Sequence, residues 1–217
     1  MGLFGTIGSF FSSACSFIGS AVSAVGGALA SAATAFLSVA GSYLSPVVTI
    51  IGMIANLIGL KDEKESVEEI GAKAMLSDKK PEDFESYTEY INHLREDIKL
   101  DKEKFDKATD IEKATRSAIG ATILVKGIEE KKGFEIPTEA WVAMVKLGLE
   151  GKEKEVDSLL ETFKNGKLSD FANYVEGKLD AKTEAEVSGT LVEMYQKLEP
   201  NASIEAIEKR VMNMDKS

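Results

Sequence analysis

From Leu3 to Leu60 the chain carries no charged side chain, so all of its Lys, Arg, Asp and Glu residues lie beyond Leu60. No other feature limits the fold as much. The stretch holds 24 large apolar side chains. Leaving them in water would forgo roughly 1.5–3 kcal/mol each, very roughly 40–70 kcal/mol together. A lipid bilayer, further copies of the chain or a partner is therefore expected to cover it.

Small or weakly polar residues recur along this block at Ser9, Ser12, Ser16, Ser20, Ser23, Gly27, Ser31, Thr34, Ser38, Gly41, Ser45, Thr49, Gly52, Asn56 and Gly59. Fourteen steps cover fifty residues, or 3.57 residues per step. The α-helix repeats every 3.6 residues, so these side chains fall on one narrow stripe. Phe17, Val22, Val25, Leu29, Phe36, Tyr43, Leu44, Val47, Ile50, Ile54 and Leu57 occupy the other faces. The pattern predicts an apolar helical rod with a Ser/Gly seam. Small residues let helix backbones approach closely, and small-xxx-small spacing is a packing device of membrane helices. Ser and Thr hydroxyls also tolerate water, so the seam could equally line a wet lumen.

Two arrangements of the block remain open at this point. Gly26-Gly27 is its weakest helical point and a candidate hinge. A hairpin would run from about Ile7 to Val25 and from about Ala30 to Leu60, each arm long enough for the ~20 residues a bilayer core requires. Pro46 would kink the second arm or start a new segment near Ser45. Alternatively the block is one helix of about 75 Å, too long for a single crossing and suited to a sheath of several chains.

Beyond Leu60 the composition inverts, and Lys61-Asp62-Glu63-Lys64-Glu65 is a sharp polar stop. The chain is read as two domains, 1–60 and 61–217. Ser66 with Glu69 has the spacing of a capping box for a helix reaching about Leu76. Pro81 fits a first helical position. Phe84, Tyr87, Ile91, Leu94, Ile98 and Phe105 predict one helix from about Glu82 to Lys107. Asp110 is the expected cap of the next helix, which Gly133 ends, and Gly120 in its middle implies close packing. Further helices are expected around Trp141, from Val156 to Phe163, from a Ser169 cap to Leu179, from Lys182 to Leu198, and from a Ser203 cap onward. No stretch alternates with period two. The fold class is all-α: a long apolar N-terminal helix or hairpin followed by a charged bundle of about seven helices.

The net charge of −10 argues against general nucleic-acid binding, because phosphates call for a basic face. Cys15 is the single cysteine and excludes an internal disulfide; it reads as a small apolar filler. The single histidine, His93, reads as a surface or half-buried helix residue. No cysteine pair, His-x-x-x-His or spaced acidic loop marks a metal site, and no nucleophile lies beside a base in sequence. Neither a catalytic residue nor a cofactor is expected. Asn201-Ala202-Ser203 is a formal glycosylation sequon that reads better as a helix cap. No basic segment precedes the apolar run, so no cleavable signal peptide is expected. The start at Gly2 fits an N-myristoylation pattern, which matters only beside a eukaryotic acyltransferase.

Met1-Gly2-Leu3-Phe4-Gly5-Thr6-Ile7-Gly8-Ser9-Phe10-Phe11 and the Gly/Ala/Ser-rich helix that follows resemble the start of bacteriophage internal virion or DNA-ejection proteins. The resemblance covers about sixty residues and implies stored hydrophobic helices that leave the particle and assemble into a conduit through an envelope. Similar blocks occur in pore-forming toxins and in effectors delivered by injection machines. Three functions are therefore expected to compete. The first is a structural, membrane-active virion or injection-apparatus protein that forms homo-oligomers, meets the lipid bilayer and contacts other subunits. The second is a pore-forming toxin or secreted effector, and the third a membrane-anchored helical adaptor. The expected location is membrane or virion-associated.

Overall fold

The computed structural model describes residues 3–214, with side chains from residue 9 onward; Gly2 lies outside the described residues. The described chain is all-α, and no strand occurs in it. It divides into two compact units, Met1–Gly133 and Phe134–Ser217.

The uncharged block is not one rod: it breaks at Gly26, where the hairpin alternative places its hinge, and each arm is itself segmented. It forms α1 (Leu3–Ser20), α2 (Val22–Val25), α3 (Gly27–Ala40), a 3-10 turn at Gly41–Tyr43 and α4 (Leu44–Leu57). The 75 Å single helix is thereby corrected. Gly26 breaks the chain with φ +86, a conformation open to glycine without strain. A second break falls at Gly41, φ +50, which the stripe pattern had concealed. Pro46 sits in the first turn of α4, where its missing N–H would have had no helical partner. It starts a segment rather than kinking one.

The rest of the first unit is α5 (Val67–Leu76), a 3-10 turn at Pro81–Asp83, α6 (Tyr87–Asp97), α7 (Lys102–Asp106) and α8 (Asp110–Lys132). The single helix expected over 82–107 is in fact these three pieces. Ile98 is extended, and the seven-residue step from Ile98 to Phe105 bridges two helices. Ser66 and Glu69 form the reciprocal capping box, with Ser66 N–H donating to Glu69 at 2.6 Å. Thr109 caps α8 in place of Asp110, paired with Glu112, and Gly133 ends it in the left-handed conformation.

Helix α8 is the axis of this unit. Twelve of its residues are buried, including the unbroken run Ala118–Val125, so it is enclosed on every side. Helices α1, α3, α4, α5 and α6 all pack on it. At the α5/α8 crossing a Cβ on Gly71 would lie 1.8 Å from the Arg116 carbonyl oxygen. One on Gly120 would lie 1.9 Å from the Val67 oxygen. The backbones touch, which only paired glycines permit.

This packing moves the domain boundary from Leu60/Lys61 to Gly133/Phe134. The block buries Ile18, Val25, Leu29, Phe36, Leu37, Leu44, Val47, Ile50, Ile51, Ile54 and Leu60. At about 1.5–3 kcal/mol each, these eleven account for ~16–33 kcal/mol of burial. The cover is the chain's own α5 and α8, so residues 61–133 fold together with the block.

The second unit holds α9 (Thr138–Lys146), α10 (Glu153–Thr162), α11 (Leu168–Val175), α12 (Ala181–Leu198) and α13 (Ile204–Val211). With α5 to α8 this makes nine described α-helices beyond the block, against about seven expected. Helix α9 packs on α11, and α12 packs on α10, α11 and α13. Trp141 is fully buried, and the Phe163 and Phe171 rings meet at 5.4 Å. Helix α11 begins at Leu168, one residue before the expected Ser169 cap. Ser203 caps α13 by accepting from Ala206 N–H.

Candidate functional site

The stripe is the outer face of the block. Ser9, Ser12, Ser16, Ser20, Ser23, Gly27, Ser31, Ser38, Ser45, Thr49 and Gly59 are exposed. Thr34, Gly41 and Asn56 are half-buried, and Gly52 alone of the fifteen is buried, facing Val67. The hinge Gly26 is buried, with the Glu82 carboxylate 3.1 Å from where its Cβ would stand; Pro46 is half-buried. Within one chain the stripe therefore faces outward, and the large apolar side chains face α8.

Two properties set this outer face apart. It carries no charge, and Phe17, Val22, Val39, Tyr43 and Leu57 stand exposed on it. Five of its hydroxyls are also turned inward. Ser16 donates to the Ser12 carbonyl (3.0 Å), Ser20 to Phe17 (2.7 Å), Thr34 to Ala30 (2.9 Å), Ser38 to Thr34 (2.8 Å) and Thr49 to Ser45 (3.1 Å). Such back-bonding satisfies a hydroxyl proton without water, so the face is less polar than its composition implies. The stretch Gly27–Leu57 is long and apolar enough to cross a membrane; just under half of its most apolar part is buried, as in a core helix.

A polar clasp holds the end of the block. Arg95 of α6 donates through Nη2 to the Leu60 carbonyl at 2.6 Å and through Nε to Glu65 at 3.5 Å. Lys131 of α8 donates to the Ile58 carbonyl at 2.9 Å. Both cations sit where the α4 carbonyls run out of helical partners and the helix dipole is negative. Glu65 also pairs with Lys73 of α5 at 2.8 Å. Lys61 donates to the Glu65 carbonyl at 2.8 Å, and partial burial pushes its pKa down.

Sequence reasoning did not anticipate that Ser77, His93 and Asp97 come together. His93 Nε2 lies 3.3 Å from Ser77 Oγ, and Nδ1 lies 2.7 Å from Asp97. These are the residue types of a nucleophile, a base and its orienting acid. Ser77, however, is buried and its hydroxyl is engaged in a turn: it donates to the Lys79 carbonyl (2.8 Å) and accepts from the Lys79 N–H (3.1 Å). With that proton on Lys79, the imidazole has none to take from serine. The cluster joins the end of α5 to α6. No sequence signal marks it, because the serine and histidine are sixteen residues apart.

Among the described residues no three His, Cys, Asp or Glu side chains converge as metal ligands. Cys15 is half-buried on α1. In the second unit an open groove runs past Lys152, Glu155, Leu198 and Glu199, mixing both charge signs. No protein-family model, curated protein or solved structure matches the chain.

Proposed function

We propose that this chain is a non-enzymatic structural protein acting at a membrane, as a subunit of a virion or injection apparatus would. Its N-terminal helices meet lipid, associate with further copies of the chain along the Ser/Gly face, and cross or line a conduit. The observation that carries this reading is the outer face of α1–α4, where no charge stands and the hydroxyls of Ser16, Ser20, Thr34, Ser38 and Thr49 are bonded to their own helix. Helix faces turned to water ordinarily carry charges of both signs. Transfer of this face into lipid buries no charge, and these five hydroxyls take their acceptors with them.

Dye release from lipid vesicles tests it. Ser31→Asp and Ser38→Asp place charge on exposed positions, so the fold is retained. A carboxylate at the centre of a membrane helix costs about 2.5–3.5 kcal/mol on insertion scales. Wild type is expected to release dye and the double variant, with two such charges, to release it at least about a hundredfold more slowly, with unchanged helicity and Tm. Equal release by both proteins would remove the face from the mechanism. The one such stretch among the described residues, Gly27–Leu57, favours one other reading, a membrane-anchored adaptor, which predicts firm membrane association without release.

A further inference from the structure

We propose that the structure is the closed form of the block: α5 and α8 mask the apolar surface a bilayer would take, and membrane entry requires α1–α4 to leave α8 by turning about Gly59. This rests on the membrane reading above and concerns its regulation.

The masked and presented surfaces of the block are opposite. The outer face offers small residues and a few scattered large ones, whereas Phe36, Leu37, Ile50, Ile51 and Ile54 are turned inward. A helix that spans a bilayer meets hydrocarbon around most of its circumference, and in the folded chain just under half of the most apolar stretch is already buried inside the protein. Surface attachment is open to the closed form, but spanning is not.

The attachment is of a kind lipid can replace. It is mainly apolar contact, for which acyl chains are an equivalent environment. Polar links from the block to its scaffold include the Thr115 hydroxyl at 3.4 Å from the Ala14 carbonyl and the Arg95 and Lys131 bonds at the end of α4. Water offers no such replacement, so the closed form persists until a membrane is present. The exit point is also suited to rotation. Gly59 has φ +70 with open space where a Cβ would lie, and it precedes the charged loop that leads into α5. The Arg95 clasp sits directly on this pivot and holds it shut.

A reversible covalent lock tests the inference in the full-length protein. A Cβ on Gly52 would lie 3.0 Å from Val67 Cγ2, so cysteines at these two positions, one on α4 and one on α5, fall in bridging range. The variant Gly52→Cys/Val67→Cys is made in a Cys15→Ser parent and added to dye-loaded phosphatidylcholine vesicles. With the bridge formed, as shown by loss of free thiols, release is expected to be slower than after dithiothreitol by about tenfold or more. Equal release from the oxidised and reduced forms overturns the proposal while leaving the membrane reading intact. A parent that releases no dye removes the membrane reading and this inference with it. A second variant needs no new bridge: Arg95→Met removes the clasp and is expected to release dye about tenfold faster than wild type, the worth of one charge-assisted hydrogen bond. An unchanged or slower rate overturns the proposal.

Discussion

Glu68 shows how a single side chain can oppose its own helix position. It lies in the first turn of α5, where the helix dipole favours an anion. Burial nevertheless dominates and pushes its carboxyl pKa up, against the pull of Arg116 and Lys113. The Arg116 guanidinium stands 3.6 Å away, too far for a hydrogen bond. A raised folded-state pKa means that the native state binds the proton more tightly than the unfolded chain does. The stabilising contribution is complete below the unfolded value and is lost as pH rises through the folded one. Glu68→Gln is therefore expected to raise Tm at pH 7, with the gap to wild type closing toward pH 4; thermal melts across that range check it. Arg116 retains the Phe105 carbonyl at 3.3 Å and its ring at 5.3 Å in that variant. None of this is legible in the sequence, where Glu68 is one acid among many on a charged segment; only the α5/α8 crossing buries it.

At the scale of elements, that crossing is the strictest contact in the first unit. Its glycines face backbone atoms, which cannot move aside as a flexible side chain does. Gly120→Ala is expected to cost about 3 kcal/mol or more, beyond ordinary overpacking, and to appear as a large fall in the urea midpoint. Gly19→Ala, with open space at its Cβ, is the matched control and should be neutral or slightly stabilising. The close packing at Gly120 is readable from an interior glycine in an otherwise strong helix. Its partner Gly71 is not, since no local pattern names which helix will cross. Helix ends were legible at Ser66, Gly133 and Ser203, where the signal was local, but the caps expected at Asp110 and Ser169 were each displaced. The break at Gly41 was hidden because a glycine there also continues the stripe. The gap after Asp97 was hidden because a seven-residue apolar step fits one helix or two.

For the whole molecule, the two units have different footing. The second draws its core from its own residues, among them Trp141, Phe163, Phe171 and Leu191. Its helices are tied together by the Tyr174 hydroxyl donating to the Val211 carbonyl and by Arg210, which lies 3.9 Å over the Tyr195 ring and 2.9 Å from Glu199. Residues 134–217 expressed alone are expected to keep a cooperative thermal transition and helical circular dichroism. Residues 61–217 are expected to expose the apolar face of α8 and to aggregate or bind a hydrophobic dye. A soluble, dye-silent 61–217 fragment would show that the block is not the cover of α8.

By itself the sequence determined that the chain is helical, that its first sixty residues form a charge-free helical block with a small-residue stripe, and that Gly26-Gly27 and Pro46 are the places where this block can break or restart. Each of these follows from spacing, glycine freedom or proline chemistry within a few residues. The structure chose the break at Gly26 and the restart at α4. Tertiary structure alone decided which face of the block is inside and what lies against it. Periodicity separates two faces of a helix but does not assign either to a partner. That assignment came from α8, more than fifty residues further along the chain, whose enclosed apolar surface is complementary to the large side chains and leaves the Ser/Gly stripe outside.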